Sequence, residues 1–246
     1  MIKRILILIF VLGLMVYLGL SITVFNSQPD ELACADIEFK VKDSIHGGFI
    51  AIDDINTLLK NKKIHPVNRL LTDISTKEIE IELQQHPLID EVECYKTPSG
   101  KIGIEVRQRI PLLRVMTNKG EYYFVDNKGE IMPLSTKCVA HIAIATGNIS
   151  KEFATKDLYQ FAKYIDSKKF WSDQIEQIHV VNEKEVEFVP RVGDHIVILG
   201  SLEEIEDKLK RLKVFYEKVL NQVGWNKYSK INVEFSNQVI CTKVNL

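Results

Sequence analysis

Cysteine, proline and glycine are scarce in this chain of 246 residues, which holds four Cys, seven Pro and twelve Gly. Such counts exclude a collagen-like repeat, a disulfide-dense miniature scaffold and a Pro/Gly-rich disordered chain. Charge of one sign is lacking too: 32 Lys and Arg stand against 33 Asp and Glu, for a net charge of −1. No overall field therefore draws the protein to nucleic acid or to an anionic surface, and no nucleic-acid partner is expected. There is no Gly-x-Ser-x-Gly elbow, phosphate loop or dinucleotide fingerprint. The histidines, His46, His65, His86, His141, His179 and His195, include no pair at helical zinc spacing, and no cysteine pair has metal-ligand spacing. The sequence thus offers no catalytic residue, metal, cofactor or small-molecule substrate, and it is read as a non-enzyme. Asp53-Asp54 is better explained by helix capping than by acid-base work. Cys94 and His86 fit structural roles better than a thiol nucleophile, and Trp171 and Trp225 are expected as core or interface anchors.

What is present is one long apolar run. Ile5 to Phe25 holds 21 residues without a charge, of which only Gly13, Gly19, Ser21 and Thr23 are not apolar. As a helix rising 1.5 Å per residue it spans about 30 Å, the thickness of a bilayer core. Lys3 and Arg4 precede it while Asp30 and Glu31 follow, so the positive-inside bias predicts a cytoplasmic amino terminus and an extracytoplasmic remainder. A cleaved signal peptide would have a shorter apolar stretch and a small-x-small site close behind it. Glu31 also spoils Leu32-Ala33-Cys34 as a lipoprotein box. Beyond the run no segment approaches spanning length, and 221 residues with a net charge of −3 remain. Outside the membrane the cysteines Cys34, Cys94, Cys138 and Cys241 would meet an oxidising compartment. They admit three full pairings that spacing does not choose among, and free buried thiols are the simpler expectation.

Periodicity orders the rest. A strand is expected over Ala35 to Lys42, a helix over Ile52 to Lys60 with Asp53 at its cap, and a second helix over Ser75 to Gln85 opened by the capping box Ser75 and Glu78. Glu91 to Thr97 and Lys101 to Arg107 alternate as strands about Pro98-Ser99-Gly100, a hairpin. Beyond Ile110-Pro111 come short strands over Leu112 to Met116, Tyr122 to Val125 and Glu130 to Met132, then a helix from Thr155 to Ser167. Strands follow near Ile175 to Val181, Glu185 to Val189 and His195 to Leu199. A long helix over Leu202 to Leu220 has acidic early turns and basic later ones. Lys230 to Phe235 and Val239 to Val244 close the chain around Ser236-Asn237-Gln238. The fold class is therefore α+β: a stub (1–4), a transmembrane helix (5–25), a linker (26–34), a β-α-α-β-β domain (35–109) and a larger β-rich domain (110–246).

Several motifs carry a resemblance. Ile79 to Leu83 followed by Pro87-Leu88-Ile89 resembles an L-x-x-x-P-x-V element, and Arg107-Gln108-Arg109-Ile110-Pro111 resembles an E-R-x-P junction with Gln108 in place of the acid. Phe124-Val125-Asp126-Asn127-Lys128-Gly129 is similar to a V-D-x-x-G hairpin. Ile231-Asn232-Val233-Glu234-Phe235 resembles an I-D-L-R-Y strand, from which Asn232, Glu234 and Phe235 depart. In this order behind one anchor, the chain resembles the FtsQ/DivIB family of bacterial cell-division proteins, with a POTRA-like small domain. The resemblance implies a non-enzymatic divisome scaffold at the division septum of the cytoplasmic membrane. It implies that FtsB/FtsL-like bitopic proteins bind by adding a strand to the end of the β domain. The residues carried over are Phe235, Asn237, Val239, Ile240, Cys241, Thr242 and Val244. A second contact is expected at the free edge of the Glu91 to Arg107 hairpin. The rival reading is an anchored POTRA-type accessory module for envelope protein transport.

Overall fold

A computed structural model describes residues 2–26, 32–42, 48–135 and 142–244. Helix α1 (Ile2–Asn26) runs unbroken for 25 residues. Its side chains are described over 9–22, and the large apolar ones there, from Ile9 to Ile22, are exposed. Among the described residues no helix is long and apolar enough to cross a membrane. The chain then divides into two compact units, one of Met1–Lys40, Ile52–Gln85 and Glu91–Val106, the other of Val41–Ala51, His86–Asp90 and Arg107–Leu246.

The small module runs β1 (Ile37–Lys42), α2 (Ile52–Asn61), α3 (Thr76–Gln84), β2 (Ile89–Lys96) and β3 (Ile102–Gln108). Its three strands lie in the order β1-β3-β2, so β3 is central and β2 is an edge. Three strands hold together only if helices cover one face. Here α2 buries Ile55 and Leu59 and α3 buries Ile79 and Leu83, while Ile102, Ile104 and Val106 line the inner face of β3. The expected capping box is half formed: Ser75 Oγ accepts from the Glu78 amide at 3.2 Å. Asp53 and Asp54 both sit in the first turn of α2, which begins one residue earlier at Ile52, and there they favour the helix dipole. The hairpin closes as its residues predict, with Thr97 N–H donating to Lys101 O at 2.9 Å and Gly100 at a φ of 78°. Cys34 and Cys94 are buried and free; Cys138, His46 and His141 lie outside the described residues.

The large unit contains β4 (Pro111–Thr117), β5 (Tyr122–Asp126), β6 (Ile131–Met132), β7 (Ala143–Gly147), α4 (Lys151–Thr155), α5 (Asp157–Ser167), α6 (Lys169–Gln174), β8 (Ile175–Asn182), β9 (Glu185–Pro190) and β10 (Ile196–Gly200). It continues through α7 (Ile205–Phe215), a π-helical turn (Tyr216–Leu220), α8 (Asn221–Val223), β11 (Tyr228–Asn232) and β12 (Ile240–Lys243). Nine strands form one mixed sheet in the order β12-β11-β10-β9-β8-β7-β4-β5-β6. The β4·β7, β7·β8 and β10·β11 pairs are parallel and the others antiparallel. Parallel neighbours need long crossovers, and the helices supply two of them. One face of the sheet, with Leu113, Val115, Ala145, Ile178, Val180, Phe188, Val197, Leu199 and Ile231, is fully or almost fully buried with Phe161, Leu209, Leu212 and Tyr216 from the helices. On the other face the register aligns Met116, Thr146, His179, Glu187, Ile198, Asn232 and Ile240 in one cross-strand row.

The junction motifs have a clear physical job. Asp126 is fully buried; its Oδ1 accepts from the amides of Lys128 (3.0 Å) and Glu130 (2.8 Å), which fixes the turn, and its Oδ2 accepts from Arg109 Nε at 2.8 Å. Gln108, also buried, accepts from the Phe49 amide at 2.9 Å, so the neutral side chain is held by a backbone donor.

The structure departs from expectation in four places. Strand β7 was not expected, because Ala143-Ile144-Ala145-Thr146-Gly147 is poor in strand formers; its position between two strands imposes it. The helix expected from Thr155 to Ser167 is α5 (Asp157–Ser167), and it is flanked by two helices that were not expected, α4 capped by Ser150 and α6. The long helix starts at Ile205, after Glu204 in a left-handed conformation, and carries the π-helical turn. The strand expected to reach Phe235 ends at Asn232, whose side chain accepts from the Glu234 amide at 2.8 Å and turns the chain out of the ladder.

Candidate partner-binding edge

Three elements build the end of the sheet. β11 pairs in parallel with β10, placing Lys230, Ile231 and Asn232 opposite Ile196, Val197 and Ile198. β12 then folds back antiparallel, pairing Thr242 with Lys230, Cys241 with Ile231 and Ile240 with Asn232. The turn between them passes through Asn237 at a φ of 60°, a left-handed position that Asn tolerates better than most side chains. From α7, Arg211 Nη2 donates to Val233 O at 2.9 Å and Phe235 O at 3.2 Å. That pins the exit of β11 to the helix layer.

β12 is terminal in the sheet, and no strand pairs its outer edge among the described residues. The direction of its donors follows from one bond. Val244 N–H donates inward to Lys227 O at 3.3 Å. The register shift between Tyr228 and Lys230 adds a residue to β11 and none to β12, so alternation along β12 is unbroken. The amides of Thr242 and Ile240 therefore turn toward β11, and those of Cys241 and Lys243 turn to the open edge. Side chains alternate the other way: Val239 and Cys241 are half-buried against the core, whereas Ile240, Thr242 and Val244 are exposed. Burial pushes the Cys241 thiol above its ordinary range, which leaves it a packing group.

The sequence-derived residues thus lie along one edge, with Asn237 in the turn where it was expected and Phe235 in the turn rather than on a strand. Phe235 is 47% exposed and Ile240 48%, so neither is a core residue. Periodicity did not disclose the groove beside them, about 430 Å³, between α7 with its π-helical turn and the β11–β12 turn. Val214, Phe215, Val219 and Val239 give it an apolar lining; Lys210, Arg211 and Lys218 give it a cationic rim, and no acidic side chain among the described residues lines it. Its signal lay in the basic later turns of the long helix, which read equally well as a solvated face. Among the described residues, no three His, Cys, Asp or Glu side chains are grouped to hold a metal ion.

This arrangement offers backbone pairing, an apolar slot and positive charge. A family model described as FtsQ/DivIB, C-terminal related, matches residues 110–242, and one described as a POTRA-like domain matches residues 32–107. No curated protein matches the chain.

Proposed function

The chain belongs to the FtsQ/DivIB C-terminal-related family, whose model covers more than half of it, and from that premise we propose that it is a non-enzymatic scaffold of the division machinery. In this reading residues 5–25 anchor it in the cytoplasmic membrane, with residues 1–4 inside and both folded units outside at the septum. The uncharged run and the uniform exposure of the apolar side chains between Ile9 and Ile22 support the anchor.

Its partners are small bitopic division proteins of the FtsB/FtsL kind, and recruitment is by strand addition to β12. The carrying observation is the unpaired outer edge of β12, set between exposed Phe235 and Val244. An open edge supplies affinity through main-chain hydrogen bonds, and side-chain pockets supply selectivity. The cationic, apolar groove beside the edge selects an incoming segment that carries an apolar side chain flanked by carboxylates. The exposed edge strand β2 of the small unit is a second contact for recruitment.

Cys241→Pro tests the reading. It removes an amide that faces outward and leaves the inward ladder to β11 in place. Binding of the small bitopic partner to the full chain in detergent is expected to be lost while unfolding midpoints stay within a few degrees. Unchanged affinity in the pull-down would sink strand addition at β12. Depletion should give filaments without septa; envelope defects with normal septation would favour a transport-accessory role.

A further inference from the structure

His195 is fully buried immediately before β10, and the strand-addition reading makes no use of it. Its Nε2 lies 2.9 Å from the Tyr216 hydroxyl. The ring of Tyr216, in the π-helical turn, lies tilted at 4.9 Å from Trp225 and at 6.3 Å from Trp171 of α6, and the His195 ring lies 6.4 Å from Trp225. The other imidazole nitrogen, Nδ1, makes no hydrogen bond of good geometry, although it lies on the side of the Trp225 carbonyl. Gly193 closes over both groups, since a Cβ there would stand 2.8 Å from Nδ1 and 3.3 Å from Trp225 O.

A neutral imidazole suits this box and an imidazolium does not. The surrounding groups are the Tyr216 phenol, which burial keeps protonated, the Trp225 indole and the Trp225 carbonyl. The carboxylate that acts on the ring is Asp194, which is exposed and screened by water. The imidazolium would carry two N–H donors, one more than the neutral ring, facing one phenol and one poorly placed carbonyl around a ring that is itself 0% exposed.

The cluster is also the hinge of the binding edge. Trp225 and Asn226 lie between α8 and β11, and Asn226 Oδ1 accepts from the Asp194 amide at 3.3 Å. The next residue, Lys227, supplies the carbonyl that Val244 holds at the far end of β12. Releasing Trp225 unhooks the start of β11 and, through it, β12.

We propose that the His195–Tyr216–Trp225 cluster is a proton-operated latch on the β11–β12 edge: proton uptake at His195 expels the ring from its box and loosens the two terminal strands. Burial holds the folded imidazole below its ordinary value of 6.5, so the open form takes up the proton more readily. The latch is fully closed above that value and weakens as pH falls from it toward the folded value. An edge facing the exterior would then release its partner in acid.

Amide exchange of the full chain in detergent, without partner, tests the latch independently of strand addition. For an open form titrating at the free value, protection of residues 228–243 should fall by up to about thirty-fold between about pH 7.5 and pH 5, after correction for intrinsic rates. Strands β4 and β5 should stay protected. His65, which burial also holds low, belongs to the other unit and reports only on its own peptides. His195→Gln keeps a neutral partner for Tyr216 and should abolish the pH dependence. Should that variant not fold, exchange of the His195 ring C–H in the unmodified chain gives its titration directly, and its midpoint should lie below 6.5 and mark the pH at which the loss of protection levels off. Flat protection across the range, the same loss in His195→Gln, or a His195 midpoint at or above the free value would each overturn the latch.

Discussion

Replacing Asp126 with Ala removes the most connected carboxylate in the larger unit. Its oxygens accept from Arg109 Nε at 2.8 Å and from the Lys128 and Glu130 amides, and Arg109 Nη2 lies 2.7 Å away. The Asp126 side chain is 1% exposed and that of Arg109 12%, so truncation leaves a guanidinium largely out of water. Glu130 stands 3.6 Å from it but is 70% exposed and screened, a weak substitute. Stranding one member of a buried pair costs about 3 to 5 kcal/mol, which includes the desolvation of the group left behind. For a unit of this size, 3 kcal/mol corresponds to a midpoint about 6 to 12 °C lower. Arg109→Ala should cost less, about 2 kcal/mol, because Asp126 keeps two amide donors. The double variant should fall short of the sum of the singles, since each single already breaks the pair. Guanidinium unfolding followed by tryptophan fluorescence reads the correct unit, because the chain has two tryptophans, Trp171 and Trp225, and both lie in it. A loss below about 1 kcal/mol for Asp126→Ala, or strict additivity in the double, would refute the keystone argument.

Two further substitutions probe the sheet and the groove. Gly147→Ala places a Cβ 2.1 Å from Val180 O at a φ of 115°, so β7 and β8 must separate; a loss of about 3 kcal/mol or more is expected by thermal unfolding, and a near-neutral result would mean that this register is wrong. Lys218→Glu reverses one rim charge and should weaken partner binding about five-fold at low salt with no change in unfolding midpoint. An affinity insensitive to both the substitution and the salt would remove charge from the account of the groove.

Much of this fold is legible in the sequence where a local rule and the tertiary demand agree. Ser75 caps α3 because its oxygen reaches the Glu78 amide, a contact written in residues three apart. The hairpin about Gly100 and the alternation of β3 are equally local. What escaped is imposed from a distance. β7 is a strand because without it one edge of β4 and one edge of β8 would be left unpaired. The π-helical turn from Tyr216 brings that side chain to His195, 21 positions back in the chain, and no spacing within the helix announces this. At the candidate edge the identity of the strand was legible and its direction was not. The bond from Val244 to Lys227 tells which amides of β12 face outward, and it depends on the extra residue in β11. The groove has the same origin, since its apolar lining and its cationic rim come from different elements.

From β7 to β12 the sheet adds strands in the order in which the chain presents them, each laid on its predecessor. Among the described strands of this sheet, β12 is consequently the last to be added as the chain is made. A ribosome-bound or truncated chain that stops before β12 exposes a different, unselected edge and has no completed groove. On the strand-addition reading, a partner that pairs with β12 beside the Asn237 turn distinguishes a sheet that has received this strand from one that has not.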